Sequence, residues 1–144
     1  MLFRGLLLSF LCLSSLAVHA ALPLTPFERS VTYALPNSAE VSAYLHQLSK
    51  QSPQAAVLSL GRSAGGRPIE ALLMSNDAAF LKNGRPDAHR PTVMLIGSQH
   101  GNEPSGTEAV QILVRQVLDG DQQHLLDKMN FIAIVLANPD GRDL

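Results

Sequence analysis

The sequence predicts an α/β domain built on a mixed, partly parallel sheet. Two apolar runs, Thr92–Gly97 (TVMLIG) and Phe131–Ala137 (FIAIVLA), are rich in Val and Ile, the pattern of strands buried on both faces. Between them Val110, Leu113, Val114, Val117 and Leu118 recur at helical spacing. A strand–helix–strand order of this length requires parallel strands with a right-handed crossover. A third observation is the pair Ala55–Leu60 and Ile69–Ser75, separated by GRSAGGRP, which reads as a hairpin beside that unit.

In chain order, residues 1–20 (MLFRGLLLSFLCLSSLAVHA) have the layout of a secretory signal peptide. Arg4 gives a positive start, Leu6 to Leu16 an apolar centre, and Val18-His19-Ala20 a small-residue cleavage site. The apolar centre is too short for a membrane span, and the bulky Leu11 before Cys12 argues against a lipoprotein signal. Cleavage after Ala20 removes Arg4 and the only cysteine, leaving ten basic against twelve acidic residues, a net charge of −2. Disulfides and a thiol nucleophile are then excluded, and nothing in the charge suggests a nucleic-acid partner.

Residues 21–36, with Pro23, Pro26 and Pro36, read as an extended leader wrapping a domain surface. Residues 37–144 are the domain itself. Asn37 and Glu40 form an N-cap and N3 pair, and Val41, Tyr44, Leu45 and Leu48 give one apolar helix face ending near Gln51. Residues 76–91 carry Asn, Asp, Gly, Pro and charges and read as an exposed loop. Pro104 suits the first position of the long helix and Gly120 its exit.

Ligands of parallel sheets collect beyond the carboxyl ends of the strands, where GSQHGNEPSG (97–106) and NPDGR (138–142) should meet. In the first stretch the glycines fall at 97, 101 and 106 with no lysine, matching neither phosphate-binding fingerprint. His100 and Glu103 form H-x-x-E, an imidazole and a carboxylate of the kind that hold catalytic zinc. Gly101 between them lets the backbone turn tightly. The plainer reading makes Glu103 a helix cap before Pro104 and His100 a loop residue. His124 and Asp127, also three apart, fall in a polar–apolar helix and should face solvent. Gly61–Gly65 matches the G-x-S-x-G elbow around Ser63, but the helix that elbow needs is replaced by Gly66, Pro68 and a strand-like run, so a hairpin turn is favoured. Asn138-Pro139-Asp140-Gly141 is first a turn.

Taken together, GRSAGGRPIEALLMS, RPTVMLIGSQHGNEPSG and NFIAIVLANPDGR resemble the zinc carboxypeptidases (carboxypeptidase A-like metallopeptidases) in order and spacing, from about Thr32 to Arg142. The resemblance implies the N-terminal part of an α/β/α sandwich, and one zinc ion for which His100 and Glu103 match the first two ligands. It implies that a zinc-activated water, assisted by a glutamate base, cleaves the last peptide bond of a substrate, so that peptide and protein C-termini are the partners. Asn102 stands where digestive-type members carry an arginine, and Asn138, Asp140 and Arg142 fall in the substrate's vicinity. The remaining histidine ligand, the oxyanion-stabilising arginine and the base belong further along such proteins, beyond Leu144. The expectation is therefore an inactive N-terminal fragment of a secreted or periplasmic enzyme. The rival readings are a related zinc amidohydrolase acting on N-acyl amino acids or cell-wall peptides, a serine hydrolase centred on Ser63, and a non-catalytic binding module.

Overall fold

Asn37 is extended, and its side-chain oxygen accepts from the Glu40 N–H at 2.9 Å, while the Glu40 carboxylate accepts from the Asn37 N–H at 2.9 Å. This reciprocal pair satisfies amides that a helix start otherwise leaves open. Helix α2 (Ser38–Gln51) follows, and its Val41, Tyr44, Leu45 and Leu48 are all buried, as their spacing predicts. A computed structural model describes residues 21–144, so the expected signal peptide lies outside the described residues.

Four strands form one sheet: β1 (Ala55–Arg62), β2 (Pro68–Met74), β3 (Thr92–Ile96) and β4 (Asn130–Ile134), in the order β1-β2-β4-β3. β1 and β2 are the predicted hairpin, β2 pairs antiparallel with β4, and β3 pairs parallel with β4. Helix α4 (Pro104–Asp119) and a 3-10 helix (Gln123–Asp127) make the crossover from β3 to β4. Pro104 opens α4, where its missing N–H has no helical partner to lose. His124 and Asp127 are exposed on the 3-10 turn, facing solvent as expected.

One face of the sheet carries the main core. Leu72 and Met74 of β2 lie beside Ala133 and Phe131 of β4, and the apolar faces of α2 and α4 close over them. Burying such side chains removes apolar surface from water at roughly 25 cal/mol per Å², the main force holding the two helices to the sheet.

Three expectations need correction. Residues 76–91 are not loop throughout: α3 (Ala78–Asn83) is capped by Asp77, anchored by the buried Phe80, and ended by Gly84 in a left-handed conformation. Six residues with one anchor are too few to show a helical period. The leader likewise contains a helical turn, α1 (Pro26–Arg29), with a Thr25–Glu28 capping box. This segment contacts α2 and α4: the Leu22 N–H donates to Asp119 at 2.9 Å, and Tyr44 Oη donates to the Pro23 carbonyl at 3.1 Å. Arg115 makes two contacts to the Glu28 carboxylate, at 2.6 and 2.8 Å. Finally, β3 is covered on one face only. Met94 and Ile96 are 57% and 47% exposed, because α3 packs over β1 and β2 and leaves the far half of that face open. An apolar run reports hydrophobicity on both faces, but not what covers them.

No helix among the described residues is long and apolar enough to cross a membrane. The difference between the two faces predicts unequal mutational costs. Leu72→Ala should cost about 2–5 kcal/mol in urea denaturation, whereas Met94→Ala should stay within about 1 kcal/mol. Equal losses would contradict the assigned core.

Candidate metal centre and its supporting loops

Because β3 and β4 are parallel, the chain leaves both at the same edge. The ladder continues past the strands as loop-to-loop bonds. The Gly97 N–H donates to the Ile134 carbonyl at 2.8 Å, Ala137 N–H to Gly97 at 3.0 Å, and Asn138 N–H to Ser98 at 3.0 Å. Gly101 then packs directly on the second loop: a Cβ built on it would lie 2.1 Å from the Gly141 carbonyl carbon and 2.2 Å from the Arg142 nitrogen. Its missing side chain serves this close approach. The left-handed residue of the loop is Ser98, with φ +42°.

His100 and Glu103 come together at the open rim. His100 Nδ1 lies 3.2 Å from Glu103 Oε1, and their side chains are 76% and 70% exposed. Glu103 occupies the N-cap position of α4 but its side chain makes no capping bond. The carboxylate has turned away from the helix amides toward the imidazole. That separation is a direct hydrogen-bond distance between the two side chains, and it is also near the roughly 3.4 Å between ligands about 2.0–2.2 Å from a tetrahedral zinc. Among the described residues no group of three or more His, Cys, Asp or Glu side chains is arranged to hold a metal.

Beside the pair runs an open groove of about 610 Å³, bordered by His100, Asn102, Asn138 and Arg142 and, across from them, Leu35 and Pro36 of the leader. Three of the four residues expected near a substrate, Asn102, Asn138 and Arg142, border it. Asn138 is already engaged, accepting the Gly141 N–H at 2.9 Å to cap the short helix α5 (Pro139–Arg142).

Asp140 points elsewhere, into the β1–β2 turn. It accepts from Gly65 N–H, Ser63 Oγ and Arg67 Nη1, each at 2.8 Å. Ser63 also accepts the Arg67 N–H at 3.0 Å, so its hydroxyl is a turn brace without a histidine partner. Arg67 Nε donates to Asp143 at 2.6 Å, and Asp143 accepts from the Ser38 N–H at the start of α2. This latch was invisible in the sequence because Ser63 and Asp140 stand 77 residues apart. The Gly65 N–H, then the Ser63 hydroxyl and Arg67, hold the Asp140 carboxyl below its ordinary value. Burial would raise Asp143, but the Ser38 and Arg67 bonds outweigh it and hold that carboxyl low too.

A lowered carboxylate stabilises the fold fully above the ordinary aspartate value near ~3.9, and that contribution is lost as pH falls through the lower folded value. Glu108, raised by burial, works in the opposite direction. The thermal midpoint of Asp140→Asn should therefore trail the wild type most near neutral pH, with the gap closing below pH ~4. A gap independent of pH would show that the Asp140 charge is not what the latch uses.

Comparison with known proteins agrees with this architecture. The sequence profile of the zinc carboxypeptidases matches residues 41–144. Carboxypeptidase E of Caenorhabditis elegans is 30% identical over 118 residues, covering 75% of this chain and 23% of its own length. Carboxypeptidase B of Helicoverpa zea is 30% identical over 106 residues, covering 70% and 23%. Among solved structures, carboxypeptidase A of Helicoverpa armigera superposes with a TM-score of 0.66 at 30% identity, over 76% of this chain and 26% of that one. A metallo-carboxypeptidase from Burkholderia cenocepacia gives 0.59 at 29% identity, over 72% and 27%. The chain thus spans about a quarter of the length of these relatives. On the profile match, the order of its strands and the H-x-x-E loop at their carboxyl edge, the chain belongs to the zinc carboxypeptidase family.

Proposed function

We propose that the chain carries the amino-terminal part of an exported zinc metallocarboxypeptidase, with His100 and Glu103 as two ligands of a single zinc ion. The observation that carries this reading is the turn of the Glu103 carboxylate away from the α4 amides to within 3.2 Å of His100 Nδ1. A carboxylate that only capped the helix would face those amides. When bound, zinc supplies a Lewis acid that activates water and polarises the scissile carbonyl.

The chain's own residues hold and orient. His100 and Glu103 present a nitrogen and an oxygen donor on one face of the loop, and the Gly101 contact fixes that loop against the Asn138–Arg142 turn. The groove beside them receives the C-terminal end of a peptide. Asn102 there offers an amide that both donates and accepts, suited to peptide backbone, while Leu35 and Pro36 give an apolar wall. The remaining zinc ligand and the glutamate base are supplied from outside residues 21–144, so this segment alone is inactive. Support for that division comes from coverage: the chain spans about a quarter of the length of the carboxypeptidases it resembles. Residues 1–20 direct the protein to the periplasm or the exterior.

The complete protein should release C-terminal residues from peptides, and His100→Ala or Glu103→Ala should lower that rate by two orders of magnitude or more, consistent with losing a metal-ligand's share of catalysis (~10²-fold or greater). Residues 21–144 alone should show no turnover. Peptide hydrolysis that survives both chelation and His100→Ala would contradict the zinc reading. Cleavage of N-acyl amino acids without cleavage of peptides would move the protein to the amidohydrolases.

A further inference from the structure

Beneath the metal loop lies a buried polar cluster that the zinc reading does not use. Arg142 Nη2 donates to Thr107 Oγ1 at 2.7 Å and to Ser98 Oγ at 3.2 Å. Ser98 is 7% exposed and Thr107 fully buried. The Ser98 hydroxyl donates its one proton to the Glu103 carbonyl at 2.8 Å. Its lone pairs are then left to accept from Arg142 and from the adjoining Thr107 hydroxyl. The order of the cluster is therefore Arg142 to Ser98 to the backbone of Glu103.

Arg142 borders the groove, which would suit an anion-binding role. The geometry argues otherwise. Its Nε and Nη1 are buried and meet no partner among the described residues, and Nη2 is already shared between two hydroxyls. The two unpartnered nitrogens are buried and do not open onto the groove. Burying a guanidinium with two unpaired N–H-bearing nitrogens is costly, and charge-assisted bonds to the two hydroxyls are the compensation in view. Those bonds fix the one loop residue with positive φ, Ser98, through its side chain, while Asn138 N–H holds its carbonyl at 3.0 Å.

We propose that Arg142 is a positioning residue for the metal loop, acting through Ser98 to hold the Glu103 backbone so that its carboxylate faces His100. The inference rests on the reading of His100 and Glu103 as zinc ligands. Thr107, one turn into α4, ties the same cluster to the helix that Glu103 begins. Arg142 thus links the second loop to the first by side chain at the place where Gly101 links them by backbone.

The test uses the complete protein, loaded with zinc for affinity and with cobalt(II) for a visible spectrum that reports ligand geometry. Arg142→Met and Ser98→Ala should each weaken zinc binding at least tenfold in chelator competition and shift the cobalt absorption. Arg142→Lys, which keeps a charge and a donor, should recover part of both. If Arg142→Met fails to fold, Ser98→Ala carries the test alone, since it removes one oxygen and leaves the backbone. Wild-type affinity and an unchanged cobalt spectrum in Ser98→Ala, or in a folded Arg142→Met, would overturn the inference. A cobalt spectrum unchanged by His100→Ala would instead overturn the zinc reading beneath it.

Discussion

The site depends on one close approach. Two loops leave neighbouring parallel strands, and Gly101 lies against the backbone of Gly141 and Arg142 with no room for a methyl group. The approach is set up by the β3–β4 register and continued by three loop-to-loop hydrogen bonds between residues 97–98 and 134–138. Without that contact the H-x-x-E loop would be a solvated turn over a helix start. With it, His100 is held at the rim with its ring beside Glu103, although both side chains are largely in water.

Around this contact the protein places few interactions on His100 and Glu103 and many on what lies behind them. Asp140 and Asp143 tie the second loop to the β1–β2 turn and to the start of α2, through Arg67 and Ser38. The leader straps α2 to α4 by way of Tyr44, Asp119 and the Glu28–Arg115 pair. Arg115 holds the Glu28 carboxyl below its usual range. Exposed ion pairs of this kind contribute little singly, often below about 1 kcal/mol, but here they join elements already fixed by a shared core. Rigid support behind loosely packed donors is the arrangement a metal loop needs if its ligands are to be exposed yet oriented.

What could be read in the sequence was local or periodic. The α2 capping box spans four residues, the α2 and α4 stripes repeat every turn, and H-x-x-E lies within one loop. The parallel pairing followed from two apolar runs with a helix between them. What could not be read joins distant residues. Arg142 meets Thr107 and Ser98 across 35 and 44 positions, and Arg115 meets Glu28 across 87. Gly101 was legible as part of a tight turn, which the Glu103 N–H closes on the His100 carbonyl at 3.1 Å, but the close approach it also permits was not, because the partner backbone belongs to another loop. Helix α3 was missed for the opposite reason, being too short for its single buried anchor, Phe80, to form a pattern. The open half of β3 shows the same limit: composition gave Met94 and Ile96 as apolar, and only the position of α3 leaves them exposed.

The central claim is that the backbone contact at Gly101 makes a metal site of His100 and Glu103, and Gly101→Ala addresses it directly. Zinc affinity of the complete protein, measured by chelator competition alongside the thermal midpoint, is the deciding quantity. The account predicts a folded protein whose zinc affinity falls tenfold or more, because a methyl group at 2.1 Å from the Gly141 carbonyl carbon must push the loops apart. A folded Gly101→Ala protein that binds zinc as tightly as the wild type would contradict it.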